Sequence, residues 1–312
     1  MNSMAVPSRF ILHQKAALTG IGRLALASAA APIRRRLADE SALKASRRFQ
    51  KTIDPPSPDL VRRYLEHVGG NPGRYVRKLP PHMFPQWTFD LVGRSLQHLP
   101  LPLHQAVNGG CRLVQRAPLP TTGPLEVSGQ LTDIETTDRK ITLTVELTTG
   151  TPGRPDAVVA QMYNVLVGRR SAGGSSDEST ATDEQEESQK KGGARVPEGA
   201  SEVTRWSIPA DAGLDFAKLT GDFNPIHWLA PAAKAAGFDH TILHGFSTMA
   251  RGWEGLVDRA GRAGAIREMD VRFTRPLVLP ADVGLFVDDG TVAVGDQPGG
   301  AAYMIGAYET EE

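Results

Sequence analysis

Asp222 and His227 stand five residues apart in the stretch LTGDFNPIH, Leu219 to His227, with the turn-forming pair Asn224-Pro225 between them. A bent loop of this kind aims both side chains into one pocket. A carboxylate and a neutral imidazole within reach of one water are what adding water to a carbon-carbon double bond, or removing it, requires. One proton must leave oxygen while another arrives at carbon. Seventeen positions after His227 comes His244-Gly245, followed by Phe246, Met249, Ala250, Trp253 and Leu256 at helical spacing. That pattern predicts a helix whose first turn includes Gly245, with its leading N–H groups unpaired. Such an N–H is suited to hold a carbonyl oxygen that is gaining negative charge.

Taken singly these residues say little, because an Asp at a loop start is ordinarily a cap and a His ordinarily packs or hydrogen-bonds quietly. Taken together they carry a resemblance. TGDFNPIH, then HGF seventeen positions on, then VRFTRPLVLPAD, read as a strand from Val271 to Asp282, resemble the MaoC-like or hydratase 2 family of hot-dog proteins. That family includes (R)-specific enoyl-CoA hydratases and 3-hydroxyacyl-thioester dehydratases, and the likeness runs from Ser201 to about Asp289. It implies that Asp222 and His227 are catalytic, that the Gly245 N–H binds the thioester oxygen, and that Asn224 supports the loop. His244 is expected to set the helix entry by hydrogen bonding, and His67, His82 and His240 read as structural or exposed. The chain departs from the family at Leu229, where many members have Asp or Asn, and at Trp253, where some have Ser. These departures bear on loop support and on the acyl pocket.

The elements around the motif recur. The helical pattern PDLVRRYLEHV, Pro58 to Val68, leads into Gly69-Gly70-Asn71-Pro72 as DAGLDFAKL leads into Gly221-Asp222-Phe223-Asn224-Pro225. Pro81-His82-Met83-Phe84 precedes a helical run, Gln86 to Leu96, as Leu243-His244-Gly245-Phe246 precedes its own, expected over Phe246 to Val257. CRLVQRAPL echoes DVRFTRPL. Three echoes in the same order mark an internal duplication. The first copy has glycine where the second has Asp222, no His soon after Asn71-Pro72, and Met83 in place of Gly245, so it should be chemically silent. Its alternating runs from Leu125, Lys140 and Val158 still read as antiparallel strands.

The expected fold is therefore α+β, a double hot-dog with two curved antiparallel sheets, each wrapped around a long helix. The expected divisions are an N-terminal extension over 1–50, a silent hot-dog domain over 51–170, an acidic linker over 171–200 and a catalytic domain over 201–312. The linker has no aromatic residue and a dense acidic middle, too polar to bury a core. Residues 1–38 hold no Asp or Glu and carry the triplet Arg34-Arg35-Arg36, which fits either a mobile extension or an arm lying on the partner domain.

Composition bounds the partners. With 35 basic and 35 acidic residues the net charge is zero, which gives no reason to expect nucleic acid. One cysteine, Cys111, leaves no disulfide and no cysteine-based zinc site. No stretch is apolar enough to span a membrane. A cytoplasmic protein is expected, or a mitochondrial one if the source is eukaryotic, as a monomer or homodimer. No cofactor and no metal are expected, since acid/base work accounts for the Asp and the two His.

The reaction so implied is reversible hydration of trans-2-enoyl thioesters, or dehydration of (R)-3-hydroxyacyl thioesters, carried on CoA or acyl carrier protein in fatty-acid metabolism. Arg251, Arg267, Arg272 and Arg275 are candidates for the thioester's phosphates. Two alternatives stay open: a hot-dog thioesterase, and a catalytically weakened acyl-thioester binding protein.

Overall fold

In a computed structural model of the chain, the structure describes residues 6–14, 46–137, 140–167 and 193–311. In the first half, strand β1 (Phe49–Ile53) is followed by helix α1 (Pro58–His67), the short strand β2 (Lys78–Leu79) and helix α2 (Pro85–Leu96). Then come β3 (Val107–Gln115), the short β4 (Leu119–Pro120), β5 (Leu125–Thr136), β6 (Lys140–Thr151) and β7 (Arg154–Val167). The second half contributes β8 (Ser201–Ile208), helices α3 (Ala212–Thr220), α4 (Ala230–Ala235) and α5 (Gly245–Ala260), then β9 (Ile266–Phe273), β10 (Ala281–Asp288), β11 (Thr291–Gly295) and β12 (Ala302–Thr310).

Local sequence explains the helices. The Ser57 side chain accepts from the Leu60 N–H at the start of α1, which buries Leu60, Val61, Tyr64 and Leu65 on one face. Proline opens both α1 and α2, where its missing N–H is not needed. Helix α5 is buried along most of its length, from Phe246 to Val257.

Ten strands form one antiparallel sheet in the order β1-β5-β6-β7-β3-β9-β12-β11-β10-β8, and β2 pairs with β4 separately. Exchanging β1 for β8, β5 for β10, β6 for β11, β7 for β12 and β3 for β9 reproduces the same order from the other edge. The echo read in the sequence is thus a structural one. The expected two sheets are one continuous sheet, because the echoing strands β3 and β9 pair with each other at its centre, Cys111 opposite Val271 and Leu113 opposite Met269. Burial favours this seam, since all four of those side chains are buried. One apolar cluster runs through both halves, with Met83, Phe84 and Leu91 of the first and Phe246, Met249 and Trp253 of the second among its members.

Two boundaries differ from expectation. The strand expected to run from Val271 to Asp282 ends at Phe273, and the chain turns so that Leu277 O accepts from Leu243 N–H and Leu279 N–H donates to Thr241 O. These bonds brace the segment that enters α5. Residues 193–200, expected as linker, pack on the second half: Arg195 bridges Ala301, and buried Val196 and Ala200 join Phe286, Ala293 and Ala302 in a small apolar cluster. The remainder of that linker, 171–192, lies outside the described residues, as do 1–5 and 15–45 of the N-terminal extension. The described residues 6–14 form an arm on α3. Val6 N–H donates to Asp215 Oδ2 at 3.1 Å, Lys218 Nζ to Val6 O at 2.9 Å and Gln14 Nε2 to Leu219 O at 2.9 Å, while Phe10 is buried.

Candidate active site

Helix α3 ends at Gly221, whose φ of 84° turns the chain sharply out of the helix and delivers Asp222 at the head of the loop. The Asp222 N–H donates to Thr220 Oγ1 and the Asn224 N–H to Asp222 Oδ1, each at 3.4 Å. The Asn224 side chain in turn accepts from Ile226 N–H and caps the single turn Pro225–His227. Asn224 therefore supports the loop from within, as an Asx residue in a turn does.

His227 is fixed by two contacts. Its Nδ1 lies 2.8 Å from Ile242 O, a partner that can only accept, so Nδ1 carries the proton and Nε2 is left with a free lone pair. Its backbone carbonyl is pressed against Gly213 in α3, where a β-carbon would lie 1.9 Å from the His227 oxygen. Only glycine permits that approach. The sequence signal for Gly213 was a glycine inside a helical pattern with no other purpose.

His244 sits below the pair. Its Nε2–H donates to the backbone oxygen of Asp222 at 2.9 Å, its ring stacks on His227 with centroids 3.7 Å apart, and Phe216 of α3 meets its other surroundings at 4.9 Å. The structure thus places Asp222, His227 and His244 together, with ligand-type atoms all within 4.8 Å of one another. One observation bears on how that cluster reads: His244 Nε2 and His227 Nδ1 are already committed to carbonyls, which leaves each ring a single uncommitted nitrogen. Those donors suit proton handling better than a shared ion.

Burial sets the protonation. It pushes the Asp222 carboxyl up, partly opposed by the neighbouring imidazole, and pushes His227 down, partly opposed by the carboxylate. The shifts run in opposite senses, the acid upward and the imidazole downward from their ordinary values. His244 is pushed well down by burial and by the nearby His227, so it stays neutral.

Gly245 opens α5, with His244 as the preceding residue and no side chain capping the end. A β-carbon at Gly245 would lie 2.5 Å from two carbons of the Phe273 ring, so the backbone here runs against an aromatic face and needs glycine. Gly245 is half-buried, and an N–H at a helix start is the kind of donor that steadies an oxyanion.

The four arginines are not brought together. Arg251 is buried inside α5, donates from Nη2 to His67 O at 2.7 Å and is held down to about 10 by burial, so it faces the interior and no surface phosphate. Arg272 pairs with Asp270 at 2.5 Å and lies over the Tyr163 ring at 3.8 Å. Arg275 packs beside Gly193. Arg267 lines a cleft of about 170 Å³ between the halves, together with Lys78, Arg116 and Arg262. That cleft flanks the far end of α5 from Gly245, and a 16-residue helix is roughly 24 Å long. His82 is buried and His67 half-buried with its Nε2 shielded, as a structural reading implies, and His240 is exposed.

Comparison with known proteins agrees with the motif. Residues 190–299 match the family model of the MaoC like domain. Over 75 residues the chain is 41% identical to 3-hydroxyacyl-thioester dehydratase X of Mycobacterium tuberculosis, a match that takes in only 24% of this chain and 26% of that protein. The structure is similar to the crystal structure of HtdX from Mycobacterium tuberculosis, with a TM-score of 0.62 and 19% identity, covering 84% of this chain and 100% of that one. It is similar to a MaoC-like dehydratase from Phytophthora capsici (TM-score 0.63, 15% identity, 88% and 100% covered). A further likeness is to full-length peroxisomal multifunctional enzyme type 2 from Drosophila melanogaster (TM-score 0.59, 16% identity, 89% and 53% covered). At these identities the structural likenesses speak for the fold, a hot-dog fold. Among the described residues no helix is long and apolar enough to cross a membrane. The part of this chain that matches the MaoC like domain, residues 190–299, is the part that carries Asp222, His227 and Gly245.

Proposed function

We propose that the chain is a hydro-lyase that interconverts trans-2-enoyl thioesters and (R)-3-hydroxyacyl thioesters on CoA or acyl carrier protein. The observation that carries this reading is the pairing of Asp222 with a His227 whose Nδ1 proton is tied to Ile242 O, beside the uncapped helix start at Gly245. In the hydration direction the thioester oxygen rests on the Gly245 N–H, which favours the enolate-like charge that forms as water attacks the β-carbon. Asp222 and the lone pair of His227 Nε2 hold that water. The pair removes one proton from it and returns one to the α-carbon, and the reverse sequence releases water from the 3-hydroxyacyl thioester.

In this reading each half is one hot-dog unit, its part of the sheet wrapped around α2 or α5, and the first is silent. Gly70 and Met83 stand there where the second has Asp222 and Gly245. The first half completes the walls of the site, so one chain contains both units and a monomer suffices.

The test is turnover of crotonyl-CoA and longer trans-2-enoyl-CoAs, followed by loss of the conjugated absorbance. Steady hydration that disappears in Asp222→Asn supports the reading. Release of free CoA thiol without hydration would replace it with a thioesterase.

A further inference from the structure

Helix α5 carries three polar side chains on the face turned toward the first half, at positions 251, 254 and 258, and the chemistry above uses none of them. Arg251 donates to His67 O at 2.7 Å. Glu254 is 2% exposed, and its Oε1 accepts from the Tyr75 hydroxyl at 2.5 Å and meets His82 Nε2 at 2.7 Å. Asp258 pairs with Arg74. Positions i, i+3 and i+7 share one helix face, so this is a polar seam along the junction of the halves. Its centre is fully buried: Tyr64, His82 and Glu254 are each 2% exposed or less, and Tyr64 Oη contacts His82 O and Nδ1 at 3.0 Å each.

The place that Glu254 occupies is defined by the duplication. Gly69 leaves α1 at φ 81° as Gly221 leaves α3 at φ 84°. Asn71 accepts from Gly73 N–H as Asn224 accepts from Ile226 N–H, and Tyr64 stacks on His82 as Phe216 packs on His244. Gly70 therefore stands where the second half has Asp222. A β-carbon on Gly70 would lie 2.5 Å from Glu254 Oε2 and 2.7 Å from its carboxyl carbon. The acid position of the first half is empty of its own side chain and filled by a carboxylate from the second half's helix.

A carboxylate removed from water persists where donors surround it, and removing one member of such a set leaves the others unpaired. The start of α5 has no side-chain cap of its own. Backbone bonds at Leu243 and Thr241 brace its entry, and further along the helix the hold comes from the first half, at Arg251, Glu254 and Asp258. We propose that Glu254 is a positioning residue: seated in the vacated acid position of the first half and held there by Tyr75 and His82, it anchors α5 and so fixes the Gly245 N–H relative to Asp222 and His227. The inference rests on the reading of Gly245 as the thioester-binding donor.

The test uses the full chain as Glu254→Ala, Glu254→Gln and Tyr75→Phe. Melting, kcat and KM on crotonyl-CoA, and the ¹H–¹⁵N resonance of the Gly245 amide, are measured for each. Glu254→Ala is expected to fold, to lose about tenfold to a hundredfold in kcat with little change in KM, and to shift the Gly245 resonance. Glu254→Gln keeps an acceptor for Tyr75 and His82 and should recover most of the rate and the resonance. Tyr75→Phe, which removes one donor and little volume, should move both readouts the same way by less, and it decides the matter if Glu254→Ala does not fold. A folded Glu254→Ala, or a folded Tyr75→Phe where that is the variant in hand, with wild-type kcat and an unmoved Gly245 resonance overturns the proposal. So does a Glu254→Gln as impaired as Glu254→Ala. Wild-type protein inert toward every enoyl thioester would defeat the functional reading instead, and the amide resonance would still decide whether Glu254 positions α5.

Discussion

The imidazoles of His227 and His244 lie face to face, ring centroids 3.7 Å apart and planes 25° from parallel. Two rings so close cannot both be charged in a site sheltered from water. Burial lowers the proton affinity of each, and each has given its one N–H to a backbone carbonyl. The stack is therefore a neutral pair, with His244 bracing the His227 ring.

Stability should fall below pH 6.5 because such histidines stay neutral in the folded chain. His67 is the clearest, lowered by burial from 6.5 to about 3. The sign follows from linkage: below 6.5 the unfolded chain binds a proton that the folded protein refuses, so lowering pH favours unfolding until His67 itself titrates. That is up to about 1.4 kcal/mol per pH unit for one histidine. Asp222, raised by burial, acts in the opposite sense at lower pH. Urea midpoints between pH 7.5 and 5 should drop for the wild type and drop less steeply for His67→Gln. Parallel curves for the two proteins would show that His67 is not held neutral.

Asp222→Asn and His227→Gln should each lower kcat by about 10²–10⁴-fold with a small change in KM. In the proposed reaction both groups serve one proton relay through one water. The double variant should consequently be hardly slower than the worse single variant, whereas losses that multiply would mean that the two act in separate steps.

Gly213→Ala tests the scaffold behind that pair. The added methyl would meet His227 O at 1.9 Å, and a carbonyl held by the loop backbone cannot swing aside as a flexible side chain can. Overpacking of this kind costs about 1–3 kcal/mol, and here the relief is movement of His227 itself. A lowered melting point with a fall in kcat is expected; a lowered melting point with unchanged kcat would show that the loop relaxes without moving the imidazole.

Much of this arrangement was legible in the sequence. Helix α1 and both long helices announce themselves by apolar spacing, α1 and α2 also by a proline start, and their ends fall within a few residues of the reading. Asp222, His227 and the HG step were legible because a short motif holds them in one loop and one helix start. What was not legible depends on contacts between distant segments. Pairing of β3 with β9 joins the two sheets into one, and no periodicity within either strand says which partner it takes. Arg251 looks like a surface cation until α1 covers it. Glu254 reads as an exposed helix residue, because the pocket that receives it is built almost 180 residues earlier, at Gly70, Tyr75 and His82.

Asn71 and Asn224 offer a paired test of which half does the chemistry. Each side chain accepts from the backbone two residues on, Gly73 N–H at 2.9 Å and Ile226 N–H at 3.4 Å, and each caps a single turn that follows an Asn-Pro step. Removing either cap should cost about 1 kcal/mol of stability, so Asn71→Ala and Asn224→Ala are expected to melt a few degrees lower by similar amounts. Their effects on rate should part. Asn224 sits between Asp222 and His227, and its backbone N–H reaches the Asp222 carboxylate, so a loosened turn changes the distance across which a proton must pass. Asn71 follows Gly70, where no acid side chain stands. Asn224→Ala should thus lower kcat by tenfold or more, in line with the sensitivity of acid/base groups to placement, while Asn71→Ala stays within a few-fold. Equal losses of rate in the two variants would mean that the first half takes part in the reaction after all.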